Sequence, residues 1–116
     1  MELCQKAAEQ GDAWVQNGLG CMYLDGNGVE HSYQLAIEWY RKAAEQGHVQ
    51  SQCNLGYMYE NGYGVEQNYQ MAIEWYQKAA ENGYEEAQNR LKLLLEKNEE
   101  KHISFGNKIK NWTKWR

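Results

Sequence analysis

Residues 36–47 read A-I-E-W-Y-R-K-A-A-E-Q-G, and residues 72–83 read A-I-E-W-Y-Q-K-A-A-E-N-G. The two tracts lie 36 residues apart (72 − 36) and differ at only two positions. A tract this long returning at a fixed spacing is the mark of a stacked repeat protein. The expected fold is all-α, a solenoid of antiparallel helix pairs with a 36-residue period.

Working outward, residues 7–11, A-A-E-Q-G, match residues 43–47, so the chain opens in the middle of a repeat. The expected organisation is a single domain, 1–116. Residues 1–11 end a truncated repeat, 12–47 form repeat 1, 48–83 repeat 2, and 84–116 a degenerate capping repeat. Gly11, Gly47 and Gly83 close the three copies of the helix. Glycine takes the left-handed conformation after a helix at no steric cost.

The next helix begins at once, with Asp12 as N-cap in the first copy. Its three copies are expected over about 13–24, 48–60 and 85–97. Leu19, Met22 and Tyr23 recur as Leu55, Met58 and Tyr59, and spacings of three and four put them on one face. Gly20 and Gly56 lie beside that face. A mid-helix Gly costs about 1 kcal/mol relative to Ala, so its return suggests that another helix backbone passes close by. Gly26 and Gly62 stop these helices, and Ser32 and Asn68 are expected to cap the following ones. That second helix carries an apolar stripe of Tyr33, Ala36, Ile37, Tyr40, Ala43 and Ala44, all expected to be buried. Shifted by 36, Phe105, Ile109, Trp112 and Lys114 fall on Tyr69, Ile73, Tyr76 and Lys78. Residues 104–116 are therefore expected to be a last, decayed helix, preceded by a loop over about 98–103.

The motif L-G-x-M-Y-x-x-G-x-G-V-E, followed by Y-x-x-A-I-E-W-Y-x-K-A-A-E-x-G, resembles the Sel-one-like repeat family, relatives of the tetratricopeptide repeat. The match is strong over residues 7–83. The resemblance implies a right-handed α-solenoid that serves as a scaffold or adaptor for other proteins, of a kind common in bacteria. It also implies that the first helix of each unit lines the concave side. The chain departs from the family's usual Ala at Val15 and Ser51 and keeps it at Ala87. One secreted, cysteine-rich branch of the family is linked to β-lactam binding or hydrolysis, and its disulfides recur with the repeat. Here Cys4, Cys21 and Cys53 have Tyr40, Tyr57 and Asn17 at the equivalent positions, so the pattern of that branch is missing. Free thiols in a reducing compartment are the expectation, and a β-lactam-directed enzyme is the lesser alternative.

Charge narrows the partners. Residues 97–116 carry six Lys or Arg against two Glu, a net +4, which leaves −8 for residues 1–96. An acidic body disfavours nucleic acid, whose phosphates need clustered Lys and Arg. The basic end reads as a solvated cap, with Trp112 and Trp115 as anchors for an acidic partner or membrane surface in the sharper reading. No apolar run approaches the roughly 20 residues of a membrane span. The first residues lack the basic and apolar segments of a signal peptide, so a cytoplasmic protein is expected.

The search for chemistry yields little. Asp25-Gly26-Asn27-Gly28 begins like a calcium loop, but the ligands an EF-hand needs further on are missing. His31, His48 and His102 have no metal spacing, and neither a metal nor a cofactor is expected. Each Cys lacks a neighbouring His–acid pair. Trp39 and Trp75 recur identically and read as packing residues.

Positions that recur build the stack, and positions that differ are free to meet a ligand. One stripe of the first helix differs in every copy: Trp14, Gly18 and Cys21; Gln50, Asn54 and Tyr57; Glu86, Arg90 and Leu93. Spacings of four and three put each trio on one face. The expected activity is non-catalytic binding of a peptide or protein surface along this strip. Trp14, Cys21, Gln50, Asn54, Tyr57 and Arg90 are the candidate contacts. Self-association through the truncated first repeat is a further possibility.

Overall fold

The computed structural model describes residues 2–106, with side chains over residues 5–97. Among these are six helices and no strand: α1 (Glu2–Glu9), α2 (Ala13–Asp25), α3 (Tyr33–Glu45), α4 (Val49–Asn61), α5 (Tyr69–Glu81) and α6 (Glu85–Gly106). From α2 to α4 and from α3 to α5 the start advances by 36 residues, from 13 to 49 and from 33 to 69. Packing runs in chain order, each helix against its neighbours, and the molecule is elongated, 57 × 27 × 17 Å. A stack whose units touch only their neighbours is what a repeat of this kind dictates.

The helix ends are set by the residues singled out in the sequence. Asp12 Oδ1 accepts from the Val15 amide at 3.2 Å, Ser32 Oγ from Leu35 at 3.1 Å, and Asn68 Oδ1 from Met71 at 3.0 Å. Gly26 and Gly62 adopt φ of 69° and 71°, and their amides return to the carbonyls of Met22 and Met58. Each turn is then pinned by one long bond, Ser32 N–H to Tyr23 O and Asn68 N–H to Tyr59 O, both 2.9 Å.

The core is a string of seams. Ala36, Ile37, Tyr40 and Ala44 of α3 meet Leu55 and Met58 of α4. Ala72, Tyr76 and Ala79 of α5 meet Cys53, Ala87 and Leu94. Trp39 packs with Ala8 and Leu19. The Lys42 ammonium lies 5.1 Å above the Trp39 ring, and Lys78 repeats the contact at Trp75, at 5.3 Å.

Three expectations are corrected. Gly20 and Gly56 admit a tyrosine ring rather than a helix backbone: a Cβ at either would lie 2.6 Å from the ring of Tyr40 or Tyr76. Tyr33 is not core. It sits in the first turn of α3, 36 % exposed, and stacks on Tyr63 with ring centroids 4.7 Å apart. Residues 98–103 form no loop, because α6 runs unbroken from Glu85 to Gly106. Asn98 and Glu100 stand where Gly62 and Gly64 end the preceding copy, and without those glycines nothing stops the helix. Ile109, Trp112 and Trp115, assigned from the sequence to a last helix, lie outside the described residues.

Candidate functional site

The three variable trios lie on α2, α4 and α6, and the structure gives each residue a definite place. Trp14 is 75 % exposed and Leu93 64 %. Gly18, Gln50 and Glu86 are exposed, whereas Cys21, Asn54, Tyr57 and Arg90 are half-buried. Contacts across the repeats join them.

At one end, Trp14 meets His48 edge to face, with centroids 4.6 Å apart and planes at 85°. His48 is the N-cap of α4: its Nδ1 accepts from the Ser51 amide at 3.3 Å and lies 2.9 Å from Ser51 Oγ. Burial lowers the His48 pKa, because a partly desolvated imidazole holds a charge less readily. A cleft of about 450 Å³ opens here, walled by Trp14, His48, Val49, Gln50 and Tyr84.

A polar row continues from this cleft. The Ser51 hydroxyl donates to Asn17 Oδ1 at 2.7 Å, Asn54 Nδ2 donates to the same oxygen at 3.1 Å, and Asn17 Nδ2 reaches Gln50 Oε1 at 3.4 Å. Ser51 beside His48 has the composition of a nucleophile with its base. Yet Ser51 is 0 % exposed and its hydroxyl is engaged, and a nucleophile must reach its substrate.

The other end is aromatic. The Arg90 guanidinium lies 4.9 Å above the Tyr57 ring and bonds Glu86 at 3.1 Å. Desolvation works against the charge on Arg90, but Glu86 and Tyr76 outweigh it and raise its pKa. Tyr57 meets Tyr63 at 5.8 Å. Behind the row, Tyr40 donates to Cys21 Sγ at 3.3 Å and Tyr76 to Glu60 at 2.7 Å. Both phenols are pushed far up, by burial first and then by these bonds. Cys53 is buried and Cys21 half-buried, and both are free thiols. Among the described residues no group of three or more His, Cys, Asp or Glu is placed to hold a metal ion. Nor is any described helix long and apolar enough to cross a membrane.

Reading the trios alone misses Asn17, His48 and Ser51, which tie the strip together. It also misses a periodic device at the seams. Gln16, Gln52 and Gln88, again 36 apart, donate to the carbonyls of Ala8, Ala44 and Ala80 at 2.8, 3.2 and 3.2 Å. Each closes the end of the preceding helix. Their recurrence was visible in the sequence, though not in a search for apolar periodicity.

Together these features define an α-solenoid built from helix-pair repeats, with its non-repeating residues gathered on the first helices. The Sel1 repeat family model matches residues 1–12, 15–48 and 49–84, and the chain belongs to that family. Similar solved structures are bacterial. A Sel1 repeat protein from Oxalobacter formigenes is 44 % identical, with a TM-score of 0.75, over 77 % of this chain and 67 % of that one. The protein c5321, a protective antigen present in uropathogenic Escherichia coli strains, is 39 % identical with a TM-score of 0.81. That match covers 84 % of this chain and only 21 % of c5321. Helicobacter pylori cysteine rich protein B is 29 % identical with a TM-score of 0.73, over 78 % of this chain and 68 % of that one. No curated protein matches the chain. Folds of this class serve in general as non-enzymatic scaffolds for protein–protein interaction.

Proposed function

We propose that the chain is a non-catalytic adaptor that binds a peptide or protein surface along the first-helix strip, the side the family resemblance assigns to the concavity. Trp14 and Tyr57 are the aromatic anchors. Asn54, Gln50 and Arg90 supply polar contacts, and Cys21 lines the strip between them. The observation that carries this reading is Trp14, three-quarters exposed at the mouth of an open cleft of about 450 Å³. An exposed Trp is a liability for solubility unless a partner covers it. The half-buried residues beside it are already held by neighbours, so a ligand would meet ordered groups at reduced entropic cost.

The test is affinity capture from the native lysate. Wild-type chain is compared with a Trp14→Ala, Asn54→Ala, Tyr57→Ala variant of matching helical circular dichroism. A protein retained by the first and lost by the second is the expected result. Identical recoveries would remove the strip as the site. Sedimentation at several concentrations, on both chains, shows whether the captured partner is a second copy.

A further inference from the structure

Building on that reading of the strip, we infer that His48 is a proton-controlled positioning residue, whose charge state sets the direction of the Ser51 hydroxyl and thereby the order of Asn17 and Asn54 beside Trp14. The geometry forces a choice at one nitrogen. His48 Nδ1 faces both the Ser51 amide, at 3.3 Å, and Ser51 Oγ, at 2.9 Å. Ser51 Oγ in turn lies 2.7 Å from Asn17 Oδ1. A hydroxyl has a single proton to give, and a neutral imidazole nitrogen either donates or accepts.

In the neutral form with the proton on Nε2, Nδ1 accepts the Ser51 amide and the cap of α4 is complete. The Ser51 hydroxyl then has two competing acceptors, Nδ1 and Asn17 Oδ1. In the charged form Nδ1 carries a proton and donates it to Ser51 Oγ, which leaves that hydroxyl only Asn17 to address. The Ser51 amide loses its acceptor, and a positive charge stands at the positive end of the helix dipole. Protonation thus exchanges a helix cap for a directed relay from His48 through Ser51 to Asn17. Asn54 shares that Asn17 oxygen, at 3.1 Å, and Trp14 rests on the imidazole ring, so the change reaches two proposed contacts.

The charged and titratable groups in the helix-end turns on this side of the stack are Lys6 and Glu9 of α1, Asp12 before α2, Lys42 and Glu45 of α3, Lys78 and Glu81 of α5, and Tyr84, Glu85 and Glu86 at the start of α6. None of them offsets the effect of burial on His48. The exchange therefore falls below the ordinary imidazole value of about 6.5.

The experiment is two-dimensional NMR on the full chain between pH 7.5 and 5. It follows the His48 ring, the Ser51 amide, the Asn54 side-chain amide and the Trp14 indole N–H. All four are expected to shift with one midpoint below about 6.5, and the protection of the Ser51 amide, its exchange rate corrected for the base-catalysed intrinsic rate at each pH, to fall about fivefold at the acid end, the worth of one N-cap. In His48→Asn, which keeps an acceptor cap without a titrating group, Ser51, Asn54 and Trp14 should stay put. A His48 ring that titrates while the other three remain still in wild type overturns the inference, and that outcome needs no variant to fold. Binding separates this claim from the one beneath it. A partner whose affinity changes with pH for wild type and not for His48→Asn supports both. Equal affinity at both pH values, with NMR coupling intact, removes the effect on binding and leaves the strip. Loss of the strip as a site leaves the NMR result to decide the switch alone.

Discussion

Two seams of this solenoid differ by one methylene, and the difference should be measurable. At the first seam both the nitrogen and the oxygen of the Gln16 amide are bonded. Its Nε2 donates to Ala8 O at 2.8 Å, and its Oε1 accepts from Gln46 Nε2 at 2.8 Å. At the second seam Gln52 Nε2 donates to Ala44 O at 3.2 Å, but its buried Oε1 has no partner. The residue equivalent to Gln46 is Asn82, one methylene shorter, and its amide turns back to Lys78 O at 2.9 Å. Asn82→Gln should complete the clasp. A buried acceptor left unsatisfied costs about 1–3 kcal/mol. Ordering the longer side chain takes back about 1 kcal/mol at most. The bond to Lys78 O need not be lost, since Gln46 keeps its equivalent, at 3.4 Å, while reaching Gln16. The expected net gain is about 1 kcal/mol, or a rise in Tm of roughly 4–8 °C for a domain near this size. Thermal unfolding followed by circular dichroism reads it. The decisive control is the same substitution in a Gln52→Met background, where the acceptor is gone and the gain should vanish. An unchanged Tm, or an equal rise in both backgrounds, would refute the clasp.

Other outcomes follow from the same contacts. Gly56→Ala should destabilise by about 1–3 kcal/mol through overpacking, because its Cβ would lie 2.6 Å from a fully buried Tyr76 ring. Gly18→Ala, with nothing within 4 Å of the added methyl, should instead stabilise by about 0.5–1 kcal/mol; denaturant melts compare the two. Cys53, its thiol pushed up to about 11 by burial, should resist iodoacetamide at pH 8 until the chain unfolds, whereas half-buried Cys21 labels in the native state; mass spectrometry of peptides distinguishes them. Because burial lowers the His48 pKa, the native state takes up this proton less readily than the unfolded one. The stability it contributes should be complete above about pH 6.5 and lost as pH falls through the lower folded value; urea midpoints at pH 7.5 and 5 in wild type and His48→Asn isolate it. Nitrocefin should show no turnover above buffer.

Much of the fold was legible because the repeat compares the chain with itself. Asp12, Ser32, Gly26 and Asn68 announce helix ends through local chemistry, and the paired Leu19/Leu55 and Ala36/Ala72 announce the buried face. What failed depends on contacts between elements. Gly20 and Gly56 were recognisable as close-approach positions, but that Tyr40 and Tyr76 fill them is a matter of register between helices. Tyr33 continues the apolar stripe in sequence, yet its place in a first turn leaves it at the edge, where Tyr63 of the next repeat covers it. Aligning residues 104–116 with α5 placed a loop over 98–103, although Asn98 and Glu100 had already replaced the glycines that would stop the helix.

The candidate strip was legible only as variation. Its trios are where the copies disagree, and these positions do lie at or near the surface. Nothing in the 36-residue comparison reveals Asn17 bonding Ser51 and Asn54, because those pairs are offset by 34 and 37 residues and join non-equivalent positions. The comparison of copies also passes over His48, which stands opposite Asp12 and Tyr84. It is a half-buried cap whose ring supports Trp14.

Central to this account is where a partner lies on the solenoid. Once a partner is captured, hydrogen–deuterium exchange of the complex, resolved to peptides, gives its footprint. Protection confined to α2, α4 and the first half of α6, over the segments holding Trp14, Gln50, Asn54, Tyr57 and Arg90, is the result predicted. Protection on α3 and α5, with those segments exchanging as in the free chain, would contradict it.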